Sequence, residues 1–243
     1  MKKFLITLAM AMGVLSIQAQ REKNLVVDAN AEIRTVSAFT GIELSGAIDL
    51  YLSQGNTDAV AISAASDDMK ARIRTEVKNG LLHIYFDAKG INWKTWGNNK
   101  MKAYVTFQKL EKMEASGACN VKATDPIRQN ELRIEMSGAS DFVGELEVNK
   151  LRITASGASN FSLSGKAENA SIEASGACNV KAYELKTEQC KIDASGASNI
   201  QITVNKEMNA TASGGSNIHY KGTGLIRDIS SSGGATIRHK SDE

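Results

Sequence analysis

The 243-residue sequence predicts an all-β chain folded as a parallel β-helix with coils of about 19–20 residues, and three observations carry that prediction. One short phrase recurs seven times between Ser116 and His239, as SGACNV, SGASDF, SGASNF, SGACNV, SGASNI, SGGSNI and SGGATI. Its first residues, Ser116, Ser137, Ser156, Ser175, Ser195, Ser213 and Ser232, stand 21, 19, 19, 20, 18 and 19 residues apart. Before each phrase apolar and polar residues alternate, the period of a half-buried strand. Finally, 20 glycines and a single proline, Pro126, fit strands joined by tight turns.

Each side of the coil has its own justification. Leu132, Ile134 and Met136 lead into Ser137 with Arg133 and Glu135 between them; Leu151, Ile153 and Ala155 lead into Ser156, and Cys190, Ile192 and Ala194 into Ser195. The Ser-Gly-Ala step is a corner. Glycine permits the positive backbone angles of a sharp turn, and small neighbours let corners stack. After the corner the alternation resumes, as at Phe161 and Leu163 or Ile200 and Ile202, and a patch such as Leu146 with Val148 supplies a third side. In-register stacking then lines up Ser116, Gly117, Gly138, Gly157, Gly176, Gly196 and Gly214 at the corners. Val121, Phe142, Phe161, Val180, Ile200, Ile218 and Ile237 form an apolar spine, and Asn120, Asp141, Asn160, Asn179, Asn199, Asn217 and Thr236 run beside it. Amides at strand spacing either bond to one another along the axis or satisfy their own turns.

The amino-terminal part is less regular. GIELSGAIDLYL carries an eighth corner at Ser45 and Gly46, with Asp49 in register. AVAIS at 59–63, LLHIYF at 81–86 and KAYVTF at 102–107 read as strands, and Ser66 and Asp67 are caps for one short helical turn. The expected divisions are a signal peptide over 1–19, an irregular β part over 20–112 carrying the first corner, and regular repeats over 113–240. The end coils need covering, and RHKSDE is a charged finish.

Lys2 and Lys3, the apolar run Phe4 to Ile17 and the small residue Ala19 make the first segment a cleavable export signal, too short to span a bilayer. The chain is therefore expected in the periplasm, at the cell surface or outside the cell, without stable membrane insertion. Without Lys2 and Lys3, 27 basic residues balance 27 acidic ones, which leaves no electrostatic footprint for nucleic acid. Cys119 and Cys178 share one repeat position three coils apart, roughly 14 Å, beyond disulfide reach. Cys190 falls in the column of Leu132, Leu151, Ala170 and Met208 and reads as a core residue, so no disulfide is expected.

Catalytic constellations are missing from the pattern. His83, His219 and His239 show no metal-ligand spacing, GxSxG is absent, and neither a calcium repeat nor a nucleotide loop occurs. Seven equal serines point to geometry rather than one activated nucleophile. Arg133 and Arg152, and in another column Glu135, Glu173 and Asp193, form a mixed outward face of the kind that could serve a polysaccharide-active enzyme but is ordinary on a solvated strand. No cofactor, metal or catalytic residue is assigned. Trp93 and Trp96, the only tryptophans, stand in GINWKTWGNN and either bind a ligand or plug the open coil end.

FTGIELSGAIDLYLSQG at 39–55, together with the repeated SGASN units behind a signal peptide, resembles the bacterial family described as putative autotransporter adhesin, head GIN domain, common among Bacteroidetes. The resemblance spans roughly residues 38–222 and implies a right-handed β-helix with two unequal parts and an adhesin role. It supplies no catalytic residues. The expected function is a non-enzymatic exported binding module for glycan or for envelope or host protein; a polysaccharide-active enzyme and a purely structural envelope component are the alternatives.

Overall fold

The computed structural model describes residues 28–91 and 100–241, and the described strands form one continuous hydrogen-bonded system of seventeen. Its regular part is a parallel solenoid. β8 (Lys112–Gly117) and β9 (Asn120–Ala123) are followed by β10 (Ile127–Met136) and the long strands β11 (Asp141–Ala155), β12 (Asn160–Ala174), β13 (Asn179–Ala194) and β14 (Asn199–Ala212). β15 (Asn217–Lys221), β16 (Leu225–Ser231) and β17 (Thr236–His239) complete the stack. Each pairs in parallel with its counterpart one coil away, so Met136 lies over Ala155 and Phe142 over Phe161. The sequence divides each coil into three short sides, whereas the ladder runs through 14–16 residues from one corner to the next in β11 to β14. The coil turns inside these strands by losing phase: after Val148 two exposed residues, Asn149 and Lys150, precede buried Leu151.

The corners show why glycine is required there. Gly138, Gly157 and Gly196 have φ of 75°, 73° and 73°, the left-handed region that costs other residues about 1–2 kcal/mol. Space is the second reason. A Cβ on Gly157 would lie 2.5 Å from the carbonyl oxygen of Gly138, and one on Gly138 2.4 Å from that of Gly117. The next amide makes use of this approach: Ala139 N–H donates to Gly117 O and Ala158 N–H to Gly138 O, both at 2.7 Å. The ladder therefore continues around the bend, and its backbone polar groups stay paired.

The interior is one column of side chains per inward position. Ile134, Ile153, Ile172 and Ile192 have no solvent exposure, and Leu132, Leu151, Ala170, Cys190 and Met208 stack in register beside them. Each fully buried aliphatic residue contributes about 1.5–3 kcal/mol relative to exposure. Phe142 and Phe161 stack along the axis with ring centroids 6.3 Å apart. Cys119, Cys178 and Cys190 are all free and buried.

The amino-terminal part continues the stack before closing it. β2 (Gly41–Gly46) lies parallel on β8, with Ser45 over Ser116 and Gly46 over Gly117, and β3 (Ile48–Gln54) lies parallel on β9. β6 (Leu81–Phe86) and β7 (Met101–Phe107) add one more parallel layer. Beyond them pairing turns antiparallel: β5 (Ile73–Lys78) on β6, β4 (Ala59–Ser63) on β7 and β1 (Glu32–Arg34) on β4. Among the described residues a single helix, α1 (Asp67–Arg72), starts at Ser66, whose Oγ accepts from Met69 N–H at 3.3 Å, and buries Met69. Its first-turn acids favour the helix N-terminus.

The two ends differ. At the carboxyl-terminal end β16 pairs only with β14, and Ile226 and Ile229, which continue the core columns of Met208 and Ala210, are 43% and 40% exposed. Of the charged finish RHKSDE, residues 242 and 243 lie outside the described residues.

Candidate functional site

The corner contains a second, buried polar column besides its leading serines. The fourth residue of the phrase is Cys119, Ser140, Ser159, Cys178, Ser198 and Ser216 in successive coils, each without solvent exposure. Each points back at its own corner. Ser140, Ser159 and Ser198 donate from Oγ to the carbonyl oxygens of Ser137, Ser156 and Ser195 at 2.9 Å, and Cys119 and Cys178 donate from Sγ to those of Ser116 and Ser175 at 3.2 Å. The hydroxyl or thiol is the group that satisfies a buried corner carbonyl. That explains why serine and cysteine exchange here, and the hydrogen-bonding requirement is invisible when the position is read only as small. Burial pushes the Cys119 and Cys178 thiols above their ordinary range, the reverse of what a nucleophile needs. Among the described residues no serine oxygen is bonded to a histidine.

The outward side chains before the corner stand in two charged columns. Glu43, Glu114, Glu135, Thr154, Glu173 and Asp193 are in register along one, and Lys112, Arg133, Arg152, Ser171 and Lys191 along the other. The columns neutralise each other row by row: Lys112 with Glu114 at 2.7 Å, Arg133 with Glu135, Arg152 with Glu173 of the next coil at 2.6 Å, and Lys191 with Asp193 at 3.2 Å. His83 sits over Glu43, Nδ1 to Oε2 3.0 Å. A hollow of 330 Å³ lies against Glu43, Glu114, Glu135, Thr154, Ser137 and Ser156. Saccharide hydrolysis needs one carboxyl held neutral by an apolar surrounding and a second kept ionised. Glu114 and Glu135 are instead each bonded to a cation at a solvated surface.

Beside the spine, the polar column forms rungs. Asn120 Nδ2 donates to Asp49 Oδ1 and Asn160 Nδ2 to Asp141 Oδ1, both at 2.7 Å, while Asn179 Nδ2 donates to Asn160 Oδ1 at 3.0 Å. Asn217 combines both expected arrangements: its Oδ1 accepts from Thr236 and its Nδ2 donates to Gly215 O at 3.5 Å. Asn199 lies in register between Asn179 and Asn217. A rung that the repeat phrase does not announce joins Asn149 to Asn130 at 2.8 Å on the third side. There a broader hollow of 970 Å³ runs past Arg128, Glu147, Lys166, Lys186, Glu188 and Lys206. Arg128 grips Glu147 through two bonds of 3.0 and 3.1 Å, and Lys206 pairs with Glu188 at 2.9 Å.

Trp93 and Trp96 lie outside the described residues. Among the described residues no three His, Cys, Asp or Glu side chains converge as metal ligands, and no helix is long and apolar enough to cross a membrane.

A family model described as putative auto-transporter adhesin, head GIN domain, matches residues 38–224. The crystal structure of a putative adhesin from Bacteroides fragilis is similar with a TM-score of 0.80 at 23% identity, over 86% of this chain and 96% of that one. That of a putative lipid binding protein from Parabacteroides distasonis gives 0.65 at 19% identity, over 88% and 98%. A putative adhesin from Parabacteroides merdae gives 0.60 at 20%, over 87% and 95%. At these identities the likeness is one of fold. No curated protein matches the sequence.

Proposed function

The chain belongs to the putative auto-transporter adhesin, head GIN domain family, and from that premise we propose that it is an exported, non-enzymatic, adhesin-like module presenting the outer faces of a rigid β-solenoid to glycan or to envelope or host protein. The observation that carries this reading is the charged face before the corner. Four of its carboxylates are paired by Lys112, Arg133, Arg152 and Lys191 and the fifth, Glu43, by His83, so the face offers many fixed, solvated contacts and no two carboxyl groups divided into acid and base for glycoside cleavage. The solenoid holds such contacts at constant spacing of about 4.8 Å per coil, which suits an extended repeating ligand. The Trp93 and Trp96 segment is a second contact surface within the same proposal, with two indoles as anchors.

The test is retention of the purified chain on immobilised mucin and on outer-envelope fractions. Binding of native protein that weakens in Trp93→Ala/Trp96→Ala, with an unchanged melting curve, is the expected result. No retention on either material sinks the reading, and retention unchanged by the double substitution removes the tryptophans from the surface.

A further inference from the structure

We propose that the hollow around Tyr183 is a subsite for one pyranose ring of a glycan; the proposal rests on the reading of the chain as a binding module and assigns part of its contact surface. The coil from Ser175 to Ser195 is 20 residues long where the two before it are 19. The added length appears as register shifts: β13 slips against β12 between Ser162 and Ser164, and against β14 between Ala182 and Lys186. This irregularity is held in place. Thr203 Oγ1 donates to Tyr183 O and Thr187 Oγ1 to Thr203 O, each at 2.8 Å. Bulges fixed in this way re-aim side chains next to sites.

The side chain re-aimed here is Tyr183. Lys221 and Lys240, from later coils, hold their ammonium groups 5.5 and 5.6 Å from its ring centroid, a cation–π contact that orients the ring. The ring borders a hollow of 440 Å³ on the side of earlier coils, within the range of small-ligand sites. Val143, 46% exposed, supplies an aliphatic wall. Gly144, also at its edge, is kept small by the core side, where a Cβ would lie 2.9 Å from that of Ala123 and 3.2 Å from the buried Phe142 ring.

Around this apolar patch stand Glu145, Lys181, Glu184 and Gln201. Among the described residues none of these four makes a side-chain hydrogen bond or ion pair, in contrast to the paired rows on the other faces. Glu145 and Glu184 flank Ser164 in register, about 10 Å apart at the Cα atoms. An aromatic ring and an aliphatic wall beside uncommitted donors and acceptors complement a pyranose, whose C–H face is apolar and whose rim carries hydroxyls. Glu145 and Glu184 stand with Lys181 at the rim and Lys221 and Lys240 beside the ring, so recognition rests on the apolar face and the hydroxyl partners, and net charge does not select the sugar.

The experiment is saturation-transfer NMR of the purified chain with methyl glycosides of glucose, galactose, mannose and N-acetylglucosamine and their β-linked tetramers, with a heparin-derived sulfated tetrasaccharide beside them. Transfer to ring C–H protons of at least one of these sugars is expected. Tyr183→Ala is expected to weaken that sugar about tenfold or more, and Tyr183→Phe to keep affinity within about threefold. Far-UV circular dichroism melting curves verify that both variants fold. The subsite is overturned if none of these sugars responds or if Tyr183→Ala binds like the native chain. Retention on mucin or envelope protein that is indifferent to Tyr183→Ala overturns the subsite and leaves the broader module standing. Loss of all retention by the native chain defeats the broader reading itself.

Discussion

Replacing Gly157 by alanine separates the two reasons for a corner glycine. At φ 73° an alanine meets the left-handed penalty of about 1–2 kcal/mol. Its Cβ would also lie 2.5 Å from Gly138 O, 3.1 Å from Gly138 N and 3.3 Å from Gly138 C, all backbone atoms that cannot swing aside. Relieving that overlap stretches the 2.7 Å bond from Ala158 N–H to the same oxygen, worth about 1–3 kcal/mol when a buried polar group loses its partner. The sum is about 2–5 kcal/mol, or a melting temperature lower by about 4–20 °C for a chain of this size. Gly80 is the internal control. Its φ is 75°, yet a Cβ there meets nothing within 4 Å, so Gly80→Ala should cost only about 1–2 kcal/mol. Urea denaturation followed by far-UV circular dichroism, with both variants beside the native chain, measures the difference. If Gly157→Ala falls within about 0.5 kcal/mol of Gly80→Ala, the close-stacking account of the corner is wrong.

Three further outcomes follow from the same geometry. Ser159→Ala removes the 2.9 Å bond to Ser156 O inside the corner and should cost about 1–2 kcal/mol, whereas Ser159→Cys should stay within about 0.5 kcal/mol because cysteine fills the same column at 119 and 178; urea midpoints compare them. Asn160→Asp sets a carboxylate against Asp141, the 2.7 Å acceptor of the native amide, and should destabilise by about 1 kcal/mol at neutral pH, with recovery near pH 3 or in combination with Asp141→Asn. Burial pushes the Cys190 thiol from 9.0 up to about 12, so the unfolded chain loses this proton first as pH rises. The stabilisation is whole below pH 9 and disappears as pH climbs toward about 12; denaturation of native and Cys190→Val chains across that window should show the variant gaining relative stability.

The fold was legible because the corner imposes narrow requirements at short range. Positive φ and contact with the next coil demand glycine at Gly138, Gly157 and Gly196, and parallel stacking repeats the demand at every coil. Inward columns such as Leu132, Leu151, Ala170, Cys190 and Met208 followed from spacing alone. Less legible was anything set by a partner distant in sequence. The burial of Ser140 and Ser159 depends on carbonyl oxygens at the corner, and their size alone does not reveal it. The antiparallel layer of β4 and β5 depends on how the amino-terminal strands close the stack, which no repeat describes. The hollow at Tyr183 left only a faint trace, one coil of 20 residues among neighbours of 19 and 18. Its aromatic, aliphatic and uncommitted polar groups come from separate coils and meet only through register.

The most direct test of recognition without cleavage follows bound protein and new reducing ends in the same incubation with mucin glycans and neutral oligosaccharides. The prediction is saturable binding with no product above the protein-free control. Reducing ends that accumulate in proportion to protein, and stop accumulating in Glu145→Gln or Glu184→Gln, would contradict it and make the solenoid an enzyme.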